Sequence, residues 1–274
     1  MSTYNELIHE YRRKCKEKNL PLETVKAFLF ELCNDHKINL YTDIDQEANE
    51  KVEALFLSGM ERILNNEPMN YVLGYSYFYG YRFSVDEHVL IPRPETEELV
   101  ALVLNRYDAY FKGKIVDVCD VGTGSGAIAI ALKAEEKKMN VYASDISKEA
   151  LKLAKKNAKN NHVDISFLEG SMLEPYIEKG IAVDILVSNP PYVTEAEYQD
   201  LMPEVKDHEP KLALTAGPEG LDCYRRIAKD APYFLKDNGV LLLEIGCSQA
   251  ESVCALLKEN GFSDIQVFRD LADL

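Results

Sequence analysis

Apolar residues in the first 73 positions recur at helical spacing, as in Val52, Leu55, Phe56, Met60 and Ile63, with charged residues between them and no strand-like alternation. The pattern predicts several short helices. Pro21 suits the first turn of one, where its missing N–H has no partner to lose, so a second helix is expected over residues 22–36. At residues 75–90 the pattern changes to the aromatic run YSYFYGYRFSV, centred on Gly80, which predicts a β-hairpin linking two domains. From about residue 113 onward, short β-branched runs at 115–121, 141–144, 165–168, 183–188, 240–245 and 265–268 predict six strands. Helical patterns fall between them at 127–138, 147–161, 219–235 and 248–260. Alternating strands and helices with nearly continuous apolar strands imply an α/β, doubly wound parallel sheet covered on both faces. The lysines at 152, 155, 156 and 159 read as a solvated helix face.

Composition narrows the function. The 274 residues are 46% apolar, enough for a sizeable core, and no run reaches the length of a membrane span or shows the pattern of a signal peptide. Thirty-one Lys and Arg against 46 Asp and Glu give a net charge of −15, which argues against a free-standing nucleic-acid binder. Cys15, Cys33, Cys119, Cys223, Cys247 and Cys254 are scattered, without the spacing of a disulfide framework or a zinc site, and fit reduced thiols in a cytoplasm. His9, His36, His88, His162 and His208 have no ligand-like spacing either, so no metal is expected.

Three motifs carry candidate chemistry. Asp120-Val121-Gly122-Thr123-Gly124-Ser125-Gly126 lies between the first strand of the sheet and its helix. Its glycines allow a tight turn and close approach of a ligand, but the rhythm is G-x-G-x-G and not that of a dinucleotide site. Asp145 ends the second strand, where a carboxylate can accept both hydroxyls of a ribose or cap the helix near Ser147. Together with the glycine loop it points to an adenosine-type cofactor. Asn189-Pro190-Pro191-Tyr192 follows the fourth strand, which in a doubly wound sheet lies beside the first at the switch point. Consecutive prolines stiffen the backbone and leave carbonyl oxygens in set directions. The Asn189 side-chain oxygen and the Pro190 carbonyl can then accept the two hydrogens of a planar NH₂ group while Tyr192 stacks on its face. Catalysis there would come mostly from alignment. A plain proline-rich turn is the bland alternative.

These motifs resemble those of S-adenosylmethionine-dependent methyltransferases that modify planar amino or amide nitrogens. Further segments narrow the likeness: Asn66-Glu67-Pro68-Met69-Asn70-Tyr71-Val72-Leu73-Gly74, then Val89-Leu90-Ile91-Pro92-Arg93-Pro94-Glu95-Thr96-Glu97, and downstream Glu209-Pro210, Ala213-Leu214, Gly220-Leu221 and Leu243-Glu244-Ile245-Gly246. With these, nearly the whole chain is similar to the release-factor glutamine N5-methyltransferases, the HemK/PrmC family. The resemblance implies a helical substrate-docking domain over 1–73, a hairpin linker over 74–90 and a Rossmann-like methyltransferase domain over 91–274. It implies S-adenosylmethionine as cofactor, released as S-adenosylhomocysteine, and class 1 peptide-chain release factors as partners, methylated on the glutamine of their GGQ tip. By position, Gly122, Thr123, Gly124, Ser125 and Gly126 would hold the methionine part of the cofactor, Asp145 the ribose and Met172 the adenine. Asn189 would touch cofactor and substrate, with Pro190, Pro191 and Tyr192 completing the substrate clamp.

The family pattern is departed from at Ser171, often acidic, at Met172, aromatic in some members, and at Gly217-Pro218-Glu219-Gly220. It also continues past the DLA-type segment into a last antiparallel strand between the fifth and sixth, whereas this chain stops at Asp270-Leu271-Ala272-Asp273-Leu274. An unpaired edge on the fifth strand is therefore expected. Arg93, Glu95 and Glu97 either line the site mouth or serve the entry to a helix, since Pro92 and Pro94 enforce extended backbone and acids favour a helix N-terminus. Competing readings are a nucleic-acid N6-adenine or N2-guanine methyltransferase, a ribosomal-protein glutamine methyltransferase and a non-catalytic adenosine-binding module. The acidic balance counts against the first, which needs a basic groove.

Overall fold

The computed structural model describes residues 2–269. Its contacts divide the chain into two units, one running to Gly74 and taking in Pro203–His208, the other comprising Tyr75–Met202 and resuming at Glu209.

The first unit holds α1 (Tyr4–Glu17), α2 (Glu23–Asp35), α3 (Leu40–Asp43), α4 (Glu50–Ile63) and α5 (Met69–Leu73). The Thr3 hydroxyl accepts from the Glu6 N–H while the Glu6 carboxylate accepts from the Thr3 N–H, a reciprocal cap that starts α1. Pro21 falls just outside α2, whose cap is Leu22, and does not occupy the helix's first position. The apolar stripes of α1, α2 and α4 meet around Phe56, with Tyr11 edge-on at 5.2 Å and Phe28 stacked at 5.9 Å. Gly59 permits that approach, because a Cβ there would overlap the Phe28 ring.

The second unit opens with β1 (Tyr75–Phe78) and β2 (Tyr81–Ser84), antiparallel and joined by Tyr79 and Gly80, both at positive φ. Two such residues form the turn whose twist matches a hairpin. Phe78 and Phe83 are buried in the same core as Leu99, Val103 and Ile130, so the hairpin belongs to this unit's packing. There follow α6 (Thr96–Tyr110), β3 (Val116–Val121), α7 (Ala127–Glu135), β4 (Met139–Asp145), α8 (Lys148–Asn160), β5 (Ser166–Glu169), α9 (Glu174–Glu178), β6 (Val183–Ser188), α10 (Glu195–Asp200) and α11 (Pro203–Lys206), the last counted with the first unit. The chain then adds α12 (Asp222–Asp230), β7 (Leu235–Leu243) and α13 (Ala250–Glu259). The expected helix 219–235 is shorter because Pro232, in a 3₁₀ turn at Ala231–Tyr233, cannot continue it.

The sheet is parallel, in the order β5-β4-β3-β6-β7. Side-chain alternation along β3 sends Val116 and Val118 to a core with α6, α7 and the hairpin, and Cys119 and Val121 to a second core with Tyr176, Ile227 and Phe234. Chain order reverses between β3 and β6, which puts the switch point there.

The expected sixth strand at 265–268 is absent from the sheet, which has five strands among the described residues. A strand needs a neighbour, and the outer edge of β7 carries none among them. The 265–268 segment is held instead by side chains, with Arg106 Nη2 donating to Gln266 Oε1 at 2.7 Å and its guanidinium 5.7 Å from the Phe268 ring. The final segment 270–274 lies outside the described residues. No helix among them is long and apolar enough to cross a membrane.

Candidate active site

The loop after β3 turns at three glycines with positive φ: Gly122 at 73°, Gly124 at 54° and Gly126 at 85°. A Cβ on Gly122 or Gly124 would meet no atom within 4 Å, whereas on Gly126 it would lie 2.9 Å from Ile130 and 3.2 Å from Ala154. The first two thus face open space where a ligand can approach the backbone, and the third lets α7 pack against α8. Beneath the loop, Thr123 Oγ1 donates to Asp120 Oδ2 at 2.6 Å. Burial pushes the Asp120 carboxyl up to about 7, against the Thr123 hydroxyl and the Ala129 N–H, and Oδ1 has no hydrogen-bond partner. Asn157, fully buried on α8, donates through Nδ2 to the carbonyls of Ser125 and Ser84, each at 2.9 Å, and accepts from the Ser84 N–H at 2.8 Å. One amide thereby joins the glycine loop to the hairpin.

Asp145 ends β4 and bonds to this loop: Gly124 N–H donates to its Oδ2 at 2.8 Å and Ser147 N–H to its Oδ1 at 2.9 Å. The cap of α8 is Ser147, whose hydroxyl accepts from Ala150 N–H, so the capping alternative for Asp145 falls to its neighbour. Burial pushes the Asp145 carboxyl up, while the Ser147, Gly124 and Ile146 N–H groups favour its charge. The next side chain, Ile146, is 53% exposed. Met172 lies beyond the end of β5, in a left-handed conformation at φ 51°, and the two strand ends are tied by Gly170 N–H donating to the Asp145 carbonyl at 3.1 Å.

Asn189-Pro190-Pro191-Tyr192 follows β6, which pairs directly with β3. Ser188 Oγ donates to the Val121 carbonyl at 2.6 Å, so Asn189 and Gly122 each follow one end of the same bond. The two motifs are therefore neighbours at the switch point. Past them, Tyr192 N–H and Val193 N–H both donate to the Leu214 carbonyl, at 3.2 and 2.9 Å, and Ala216 N–H donates to the Val193 carbonyl at 3.1 Å. These bonds pin the exit of the tetrapeptide.

Two further residues join Asn189 that motif reading assigned no role. Asn189 Nδ2 donates to Thr96 Oγ1 at 3.0 Å, and both side chains favour the charged form of the Glu244 carboxylate beside them. Glu244 directly follows β7, where its N–H donates to the Ser188 carbonyl at 3.1 Å. Burial pushes its carboxyl up; Thr96 and Asn189 pull it down, as does Arg93, while Glu95 raises it. With Nδ2 engaged in this cluster, the acceptor oxygen of Asn189 is turned the other way. Tyr192 lies in the same field, its hydroxyl pushed up first by burial and then by Glu244. A signal existed for Glu244, which directly follows the strand beside that of Asn189, whereas Thr96 lies 93 positions from Asn189 in the first turn of α6.

Arg93 Nη2 pairs with Glu209 Oε1 at 2.5 Å, and Glu209, whose side chain is 1% exposed, also accepts from Ile91 N–H at 3.4 Å. Glu97 accepts from the Tyr79 N–H at 2.8 Å and ties down the hairpin turn. Both contacts organise the entry to α6.

Residues 99–207 match the methyltransferase small domain family. The release factor glutamine methyltransferase of Bacillus cereus is 42% identical over 231 residues, 83% of this chain and 82% of that one. The protein of the same name from Bacillus subtilis is 45% identical over 207 residues, 74% and 72% of the two chains. That from Lactococcus lactis subsp. lactis is 40% identical over 261 residues, 93% and 91%. With identity at this level over most of both chains, and with the glycine loop, Asp145 and the Asn189–Tyr192 tetrapeptide gathered at one switch point, the chain belongs to the release factor glutamine methyltransferase family.

Proposed function

We propose that this chain transfers the methyl group of S-adenosylmethionine to the side-chain amide nitrogen of the GGQ glutamine of class 1 release factors. The observation that carries the reading is the orientation of Asn189. Its Nδ2 is engaged by Thr96, so its oxygen is available to accept, beside a glycine loop on the neighbouring strand. Bound at that loop, S-adenosylmethionine supplies an electrophilic methyl group on a positively charged sulfur. The residues fit it. Gly122 and Gly124 leave open space above the backbone, Asp145 offers carboxylate oxygens at the end of β4, and Ile146 and Met172 offer apolar surface beyond it for the adenine. Thr123, Ser125 and Gly126 complete the loop around the methionine part.

On the acceptor side, Asn189 Oδ1 and the Pro190 carbonyl accept the two amide hydrogens, and Tyr192 covers the flat face of the amide. Pro190 and Pro191 keep these acceptors from rotating. An amide nitrogen is a poor nucleophile, so the gain comes from holding it in line and excluding water. No metal is assigned a role. The helical unit, at about residues 1–73, is assigned to docking the release factor, with the hairpin at 74–90 and the methyltransferase domain from 91 onward. A release-factor substrate goes with a cytoplasmic location, and the net charge of −15 accords with a protein acceptor in place of a nucleic acid.

The test is methylation with labelled S-adenosylmethionine of a class 1 release factor and of the same factor with its GGQ glutamine replaced by alanine. Label is expected in the first alone. Equal labelling of both would overturn the site assignment, and labelling of nucleic acid but not of either factor would favour an exocyclic base amine as acceptor.

A further inference from the structure

Gln249 precedes α13 and is 9% exposed. All of its side-chain bonds go to backbone, on three separate loops. Nε2 donates to the Tyr192 carbonyl at 3.0 Å and to the Gly220 carbonyl at 3.2 Å, and Oε1 accepts from the Gly246 N–H at 3.0 Å. Those loops follow β6, precede α12 and follow β7. Two of them bear glycine where the amide sits. A Cβ on Gly220 would overlap the Tyr192 carbonyl and lie 2.7 Å from Nε2, and one on Gly246 would lie 2.9 Å from Oε1. The backbone has thus been cleared of side chains on both sides of this one amide. Its donor end holds the last residue of the Asn189–Tyr192 tetrapeptide.

We propose that Gln249 is the positioning residue of the acceptor pocket, setting the height of Tyr192 and the direction of the Pro190 carbonyl through its bond to the Tyr192 backbone. The proposal rests on the reading of that tetrapeptide as the substrate clamp. Gln249 bonds to backbone alone and is assigned no contact with acceptor or cofactor; it acts on the alignment of the amide. Loss of its donor frees the Tyr192 carbonyl, and a shift of the order of 1 Å at an aligned group lowers turnover about 10–100-fold. Cofactor affinity is unaffected, because the glycine loop and Asp145 make no bond to Gln249.

Two variants test this in the intact chain, with a class 1 release factor as acceptor. Gln249→Leu puts an apolar side chain in its place and removes every bond, while Gln249→Glu keeps the acceptor for Gly246 N–H and removes the donor. Both are expected to lower kcat about 10–100-fold, with the dissociation constant for S-adenosylmethionine, measured by calorimetry, within twofold of the wild-type value. Turnover of both within twofold of wild type would overturn the proposal. So would loss of cofactor affinity in step with kcat, or near-wild-type turnover in Gln249→Glu alone, which would make the Gly246 bond the one that matters. Asn189→Ala is assayed alongside. If it turns over normally, the clamp reading itself fails; if it is inactive while the Gln249 variants are not, only the positioning role does.

Discussion

Replacing Asn157 with leucine should both destabilise the second unit and loosen the glycine loop proposed to hold the cofactor. The side chain is fully buried and makes three bonds, two from Nδ2 to the Ser84 and Ser125 carbonyls and one at Oδ1 from the Ser84 N–H. Leucine has the same branching and number of heavy atoms, so the cost is not a cavity but three backbone groups left without a partner. Each such group costs about 1–3 kcal/mol when buried. Ser84 is only half-buried and can recover part of its loss from water, so a net cost of about 3–5 kcal/mol is expected. At roughly 2–4 °C per kcal/mol for a unit of this size, the melting temperature falls by about 6–20 °C. The chain has no tryptophan, so far-UV circular dichroism is the suitable probe. Calorimetry at a temperature where the variant is folded should find S-adenosylmethionine binding weakened about tenfold, equivalent to one lost hydrogen bond's worth of order in the loop. Melting within about 2 °C of wild type would refute the account.

Two other substitutions probe the same rim. Thr96→Val keeps the shape of the side chain but removes the hydroxyl that accepts from Asn189 Nδ2, and it should lower turnover about tenfold; wild-type kcat would show that Asn189 orients itself without Thr96. Asp120 retains in the folded chain, up to about pH 7, a proton that the unfolded chain releases near pH 4, so its contribution to stability is lost as pH rises across that interval. Urea midpoints at pH 5 and pH 8 should therefore fall by more in the wild type than in Asp120→Asn, and equal falls would contradict the buried, protonated carboxyl.

What the sequence made legible was local, and what it hid was brought together by the sheet. β3 reads VDVCDV, and its two cores follow from strand alternation, with Val118 to one side and Cys119 to the other. The Asn189 motif was legible because its residue types and its place after an apolar run coincide. Thr96 was not, since it lies 93 positions from the side chain that it orients, and nothing in its surroundings distinguishes it from an ordinary residue in the first turn of a helix. Asn157 sits in a lysine-rich helix that reads as a solvated face, and only the packed structure reveals its bonds to residues 32 and 73 positions away. The segment 265–268 has a strand's residue types and no strand, because β propensity describes fitness for a pleated neighbour and does not supply one.

The buried polar groups support the proposal that this rim of the sheet holds the chemistry. Asp120 Oδ1, Ser144 Oγ and Glu244 Oε2 are buried without a hydrogen-bond partner, and each such oxygen works against folding by about 1–3 kcal/mol. Asp120 lies under the glycine loop and Glu244 beside Asn189, on β3 and just past β7, the strands that flank β6. An apolar residue at either position would serve the core better. Their cost is concentrated at the switch point, where Thr123 bonds to Asp120 and Thr96 to Asn189 beside Glu244. A fold that gives up stability at these two places gains fixed orientations on both sides of the crevice, one for the glycine loop proposed to receive the cofactor and one for the Asn189 amide proposed to receive the substrate.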